Sequence, residues 1–376
     1  MPKPRTLKQV NLKKMRALVR VDFNVPWRIK FVLPTLKYLI KQKAKIILIS
    51  HSGEPKGKRT KKFSLKPMSD ELRELLKKKI IFSPDVVGWN VKKRIEMMGY
   101  GDVLLLENIR FNSGEEKNSP RLAKDLAALG DIFINEAFAV SHRPHASVVG
   151  IPRYLPSAIG FLFEKEIQEL DKILKRPKRP LIAIIGGAKI STKLKVINKF
   201  LRIADQVLIG GALANTIFAS QGIFMADSVI EKEVFPEIKK IDLKNPKLFL
   251  PIDLGIWNKN RVYYKDVSGL FEKEKALDIG PKTVNLFCNL IEKSKMLVWN
   301  GPLGLVEEKP FDKSSLEISE AIARSRAYSV AGGGDTIALI RKIKKEKAFN
   351  YLSTGGGAML DYLANETLPG IEALRK

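Results

Sequence analysis

Three stretches of the 376-residue chain combine glycine with polar side chains that bind phosphate: Gly186-Gly187-Ala188-Lys189, Gly332-Gly333-Gly334-Asp335-Thr336 and Ser353-Thr354-Gly355-Gly356-Gly357. Glycine lets backbone N–H groups approach an anion, and a helix starting after such a turn adds the positive end of its dipole. Lys193 lies four residues beyond Lys189, so on a helix the two ammonium groups would share a face. One glycine run alone is only a tight turn, and a lone Asp335 is commonly a helix cap. Three runs with two lysines point to a polyphosphate.

A different chemistry recurs in the amino-terminal half. Asp22 and Asn24 follow the first apolar run, His51 the second, Asn108 and Arg110 the third and Asn135 the fourth, with Arg143 in His142-Arg143-Pro144-His145. Guanidinium groups bind carboxylate and phosphate bidentately, so arginines converging on one sheet edge describe a pocket for a small phosphorylated acid. Taken singly, Asp22 and Asn24 also suit a turn before Pro26, and Arg110 and Arg143 suit surface ion pairs. His51, His142 and His145 could be imagined as a zinc site, but Arg143 between two ligands opposes a dication.

The elements that must position these groups are ten short apolar runs, at 17–23, 46–50, 103–107, 131–135, 181–186, 206–210, 248–251, 296–299, 328–331 and 351–353, with helix-like segments between most of them. Such alternation argues for parallel sheets built from βαβ crossovers with both faces covered, a doubly wound α/β class. Ligands of such sheets sit beyond the carboxyl ends of the strands, where the singled-out residues fall. A chain of 376 residues most simply forms two domains. Phe163, Ile167, Leu170 and Leu174 recur at helical spacing before Pro177 and Pro180, which predicts a stiff helical connector between the sheets.

The net charge of +27 demands a reading, since basic surfaces meet nucleic acid, anionic membranes or small polyanions. Lysine and arginine recur along the whole chain with no aromatic interleaving or RNA-binding signature, which favours a solvated basic surface and no specific nucleic-acid partner. Cys288 is the single cysteine, so no internal disulfide forms, and no apolar stretch approaches a membrane span or a secretory signal. The expectation is a cytoplasmic protein without membrane partners.

In this order, and over essentially the whole chain, the motifs resemble the phosphoglycerate kinase family. The resemblance rests on Val19-Arg20-Val21-Asp22-Phe23-Asn24-Val25-Pro26, Leu106-Glu107-Asn108-Ile109-Arg110-Phe111, the three glycine stretches, Val298-Trp299-Asn300-Gly301-Pro302 and the ending Leu368-Pro369-Gly370-Ile371-Glu372-Ala373-Leu374. It implies two Rossmann-like doubly wound parallel-sheet domains joined by a helical hinge. Residues 1–160 with a returning tail at 364–376 would hold 3-phosphoglycerate, 161–180 would form the interdomain helix and linker, and 181–363 would hold ADP or ATP.

The implied reaction is reversible phosphoryl transfer from 1,3-bisphosphoglycerate to ADP, giving 3-phosphoglycerate and ATP, direct and in line after hinge closure, by a monomer with Mg2+. By resemblance, Asp22, Asn24, Arg28, His51, Arg110 and Arg143 bind the sugar acid, and Arg28, Lys189 and Gly333 act catalytically. Gly187, Lys189, Lys193, Gly211, Asn300, Glu307, Gly332, Gly333, Gly334, Asp335 and Thr336 correspond to the nucleotide site, with Asp335 for magnesium.

Three departures stand out. Only Trp27 separates Pro26 from Arg28, a shorter connection than is usual, although six residue steps from Asp22 still span up to ~20 Å. Glu54 stands where the family usually has an arginine that helps hold the substrate's phosphate, and a carboxylate there would repel it. Glu136 replaces a commoner aspartate, a milder change. Glu54 and the short connection also admit a non-catalytic relative that keeps nucleotide binding, and the charge alone admits a nucleic-acid binder.

Overall fold

A computed structural model describes residues 3–259 and 261–375. All ten apolar runs contain strands, because Val, Ile and Leu buried on both faces suit the interior of a parallel sheet. The described residues divide into two compact units: one runs up to Gln168 and takes the chain again from Thr367, and the other is Glu169–Glu366. The border falls within the helix Phe161–Lys175, which the Phe163, Ile167, Leu170 and Leu174 spacing anticipates.

The first unit contains a six-stranded parallel sheet of β1 (Arg16–Arg20), β2 (Lys45–Ile49), β3 (Ile80–Ser83), β4 (Val103–Leu106), β5 (Ile132–Asn135) and β6 (Ser157–Ile159), in the order β3-β4-β2-β1-β5-β6. From β1 the chain winds to β2 on one side and later returns to β5 on the other. That reversal opens a crevice beyond the carboxyl ends of the central strands. Leu36, Leu39 and Leu72 from the flanking helices pack on Val19, Ile46 and Leu48 to close one core.

The second unit repeats the plan with β7 (Leu181–Ile185), β8 (Gln206–Ile209), β9 (Leu248–Phe249), β13 (Met296–Asn300), β14 (Tyr328–Gly332) and β15 (Tyr351–Leu352), in the order β15-β14-β13-β7-β8-β9. Here the reversal lies between β7 and β13. A three-stranded antiparallel sheet, β11-β10-β12, is formed by β10 (Asp253–Asn258), β11 (Arg261–Asp266) and β12 (Lys275–Ile279). The helix Leu194–Ile203 buries Val196, Ile197, Phe200 and Leu201, and Pro281–Lys293 buries Val284, Phe287 and Ile291, stripes at helical period against the sheet.

Five strands lie outside the sequence reading. β3 follows directly on Lys77-Lys78-Lys79, and β6 has three residues after Pro156, so neither shows an apolar run of useful length. β11 alternates exposed and half-buried residues as an antiparallel edge does, a pattern that a search for continuous apolar runs passes over. No helix among the described residues is long and apolar enough to cross a membrane.

Candidate active site

In the first unit, residues that follow four different strands meet. Asp22, just beyond β1, is buried; it accepts from the Asn24 N–H at 3.0 Å and pairs with Nη1 of Arg28. Arg28 reaches it because Pro26–Val32 forms a 3-10 helix directly after the strand, with the Arg28 N–H on the Val25 carbonyl. The guanidinium also lies 5.6 Å from the Trp27 ring centre and is 16% exposed. The short connection therefore turns Arg28 back over the end of β1.

His51, beyond β2, has Nδ1 at 3.8 Å from Asp22 and 3.3 Å from Nη2 of Arg20. Burial, and then Arg20, Arg110, Arg143 and Arg28 in turn, hold its imidazole well below the usual range. The ring is therefore neutral, and with Nδ1 accepting from Arg20, its proton sits on Nε2. His51 supplies a hydrogen-bond donor to this pocket rather than a charge.

The loop after His51 is held from both sides. The Gly53 N–H donates to Oδ1 of Asn24 at 2.7 Å, and the Gly53 carbonyl accepts from Nη1 of Arg110 at 2.8 Å. Arg110 is set by Asn108, whose Oδ1 accepts the Arg110 N–H and whose amide donates to the Ser52 and Phe63 carbonyls. Its Nε lies 3.5 Å from Glu116. Arg143, half-exposed, is 3.7 Å from Oε1 of Glu54. The Glu54 carboxylate thus sits where an incoming anion would meet Arg143.

Arg20 was missed by the sequence reading. It is 1% exposed, donates through Nε to Ser147 at 2.8 Å and fixes His51, with the buried Glu115 and then Asp22 offsetting the cost of its burial. Its signal was a lone arginine inside the apolar run of β1. Among the described residues no group of three or more His, Cys, Asp or Glu is placed to hold a metal, so the three histidines do not assemble a zinc site.

In the second unit the loops after β7 and β13, on either side of the reversal, are joined. The Gly186 N–H donates to the Asn300 carbonyl at 3.0 Å, Gly187 to Pro302 at 2.6 Å and Gly211 to Leu303 at 2.8 Å. Gly211 has φ +68°, and a Cβ there would lie 2.9 Å from the Gly187 nitrogen, so a side chain would separate the loops. Gly187, Gly211, Pro302, Gly304, Leu305, Glu307 and Asp335 line one cavity of about 180 Å³.

Gly333, at φ +98°, precedes the helix Gly334–Lys342, whose first N–H groups have no acceptor within the helix. Thr336 is buried and accepts the Gly301 N–H at 2.9 Å, tying that helix to the loop after β13. Asn300 is buried beside Gly333, Gly332 packs against Met359, and Gly334 faces open space. Asp335 and Glu307 are exposed into the cavity.

The two lysines behave differently from the sequence reading. The helix starts only at Leu194, so Lys189 lies in an irregular segment and shares no helical face with Lys193. Glu231 accepts the N–H groups of Ile190 at 2.7 Å and Ser191 at 3.1 Å, and the Lys193 and Leu194 N–H groups turn back to the Ile190 carbonyl, so the helix begins beyond this turn. Lys189 remains exposed, whereas Lys193 folds under the turn and donates to the Gly186 carbonyl. Burial brings the Lys193 ammonium down to about 8, against the opposing pull of Asp335 and Glu231.

Asp278 is a further group without a sequence signal. It accepts from the Ser314 and Ile279 N–H groups and from the Ser314 hydroxyl beneath Gly304, and burial raises its carboxyl to about 7.

The family model for phosphoglycerate kinase matches residues 7–366. The chain is 41% identical to the phosphoglycerate kinase of Pseudothermotoga lettingae over 388 residues, covering 98% of each protein. It is 42% identical to that of Thermosipho africanus over 393 residues, covering 98% of this chain and 97% of the other. Among solved structures, phosphoglycerate kinase from Coxiella burnetii superposes with a TM-score of 0.84 at 34% identity, over 99% of this chain and 98% of that one. The enzyme from Pyrococcus horikoshii OT3 gives 0.86 at 31% identity over 98% of each chain.

Proposed function

The chain belongs to the phosphoglycerate kinase family and catalyses the glycolytic phosphoryl exchange between 1,3-bisphosphoglycerate and ADP, and on that premise we propose how its own residues divide the work. The first unit takes the sugar acid and the second the nucleotide. The observation that carries this division is the contrast between the two crevices. One gathers Arg20, Arg28, Arg110 and Arg143 around neutral His51, and the other offers glycine-lined backbone with Lys193 beneath it.

Asp22 orients Arg28 toward the reacting carboxyl, and Asn24 and Arg110 fix the 51–54 loop that frames the substrate's phosphate, with Arg143, which pairs with Glu54, as the cation that meets it. Lys189, Lys193, Gly332, Gly333 and Gly334 hold the nucleotide phosphates, Asn300 and Thr336 shape the glycine turn, and Glu307 accepts from the ribose hydroxyls. The exposed Asp335 carboxylate, which shares its cavity with Glu307, suits a magnesium ion that arrives with the nucleotide and neutralises phosphate charge. A phosphoryl group passing in line between two anionic oxygens needs positioning and fixed positive charge more than a base, and Arg28, Lys189 and the N–H groups around Gly333 meet that need.

Transfer requires the two bound substrates to meet with water excluded, so turnover includes a closing motion about the helix shared by the units. The lone Cys288, which leaves no internal disulfide, supports a cytoplasmic setting, and the active species is a monomer. The test is a coupled assay for ADP formation from MgATP. The rate depends on 3-phosphoglycerate and is lost in Arg28→Ala with MgATP binding retained; loss of nucleotide binding instead would reject the division of roles.

A further inference from the structure

The helix after β3 runs from the carboxyl end of that strand back to the amino-terminal edge of the first sheet, and along it lies a stripe of exposed rings and cations that the kinase reaction does not use. Trp89 begins the helix Trp89–Glu96 and is 70% exposed, Met97 follows at 78% and Tyr100 at 56%. Spacings of four and eight residues put Lys93 and Met97 in line with Trp89 along the helix, and Tyr100 stands in the turn beyond its end. Val91 and Ile95 are buried beneath and anchor the helix.

Each ring has its own ammonium. Lys93 Nζ lies 4.9 Å from the Trp89 ring centre, and Lys14 and Lys45 lie 5.4 Å and 5.9 Å from that of Tyr100. The arrangement is held by backbone. The Gly101 N–H donates to Ala44 at 3.0 Å, Lys14 to Gln42 at 3.3 Å, and Lys45 Nζ to the carbonyls of Ile95 and Glu96 at 3.4 Å each. Further exposed lysines at the amino-terminal edge are Lys41, which ends the helix before β2, and Lys13, Lys43, Lys77 and Lys79 in the turns that feed β1, β2 and β3. The nearby acids are Glu96, Asp102, 3.6 Å from Lys78, Asp85, 3.5 Å from the Asn90 amide, and Asp131, paired with Arg16. The lysines of distant sequence segments are thus interleaved with aromatic rings in space though not along the chain.

We infer that this stripe, from Trp89 through Tyr100 to Lys14 and Lys45, binds single-stranded nucleic acid without sequence preference. Rings offer stacking faces for bases, and the ammonium groups between them meet phosphates, the alternation that a single strand itself presents. An anionic bilayer fits less well. Only three large apolar side chains protrude, and inserting either ring would drag its ammonium out of water.

The test measures anisotropy of a labelled oligothymidylate with the full chain, in saturating 3-phosphoglycerate so that the arginine crevice is filled. Binding weakens about twentyfold between 50 and 200 mM salt if roughly three phosphates are contacted. Trp89→Ala with Tyr100→Ala keeps every charge and the kinase rate, yet weakens binding tenfold or more, while Trp89→Phe with Tyr100→Phe retains it. An alanine variant that binds as well as the parent would reduce the stripe to bulk charge and overturn the inference. So would an oligonucleotide that fails to bind while phosphatidylserine vesicles do.

Discussion

Removing the Glu54 carboxylate tightens binding of 3-phosphoglycerate. The pair between Glu54 and Arg143 is 3.7 Å long with side chains 68% and 41% exposed, so breaking it costs well under 1 kcal/mol of stability. A dianionic phosphate seated on Arg143 would lie ~6 Å from that carboxylate, and at an effective dielectric of ~60–80 each unit charge contributes roughly 0.8 kcal/mol of repulsion. Two charges give about 1.5 kcal/mol, and screening over a Debye length of ~8 Å halves this at physiological salt. Glu54→Gln should therefore lower the KM for 3-phosphoglycerate roughly tenfold at low salt and about threefold at 0.15 M, with kcat within about twofold of the parent. Glu54→Arg should lower it further. The assay is steady-state ADP formation at saturating MgATP, with 3-phosphoglycerate varied at both salt concentrations. A KM unchanged in both variants at low salt would refute the placement of the substrate's phosphate beside Arg143.

Arg28→Ala should cut kcat by on the order of 10³ or more with little change in the KM for MgATP, as removal of a transition-state cation does; a variant within tenfold of the parent would reject its catalytic role. Thr336→Val leaves the buried Gly301 N–H without its acceptor, and should cost about 1–3 kcal/mol in a denaturant titration. Lys193, brought down to about 8, should give kcat/KM for nucleotide an alkaline decline near that pH, and Lys193→Arg should abolish the decline without abolishing activity. Glu136 and Asp278 are both raised to about 7 by burial, so each holds a proton in the folded chain where the unfolded chain has lost it. Their stability contribution is complete below the ordinary carboxyl range and is lost as pH rises through about 7. Glu136→Gln with Asp278→Asn should therefore flatten the fall in Tm between about pH 5 and pH 8 seen by calorimetry for the parent.

The sequence exposed the parallel strands because both faces of each are covered, leaving continuous apolar runs such as Leu181–Ile185 with no polar residue to blur them. It also exposed the strand ends, since Gly333 at positive φ and Gly211 pressed on Gly187 are demands only glycine meets. Side-chain partners were not legible, because they depend on residues far apart in the chain. Nothing near Lys189 announces Glu231, whose carboxylate takes the Ile190 and Ser191 N–H groups at the turn before the helix. Glu54 read as a charge of the wrong sign, but its partner Arg143 is 89 positions away, and only the fold shows that the two face each other. Arg20 was visible as an oddity in β1, yet its task depends on His51, 31 positions along the chain, and on Ser147, 127 along.

The central claim is direct transfer between a sugar acid held by arginines and a nucleotide held by glycine turns, with no phosphorylated protein between them. Its most direct test is the stereochemistry of a single turnover with ATP chiral at the γ-phosphorus through oxygen isotopes, with the configuration read in the acyl phosphate product. The account predicts inversion. Retention would mean two displacements, and therefore a phosphorylated residue between the two substrates.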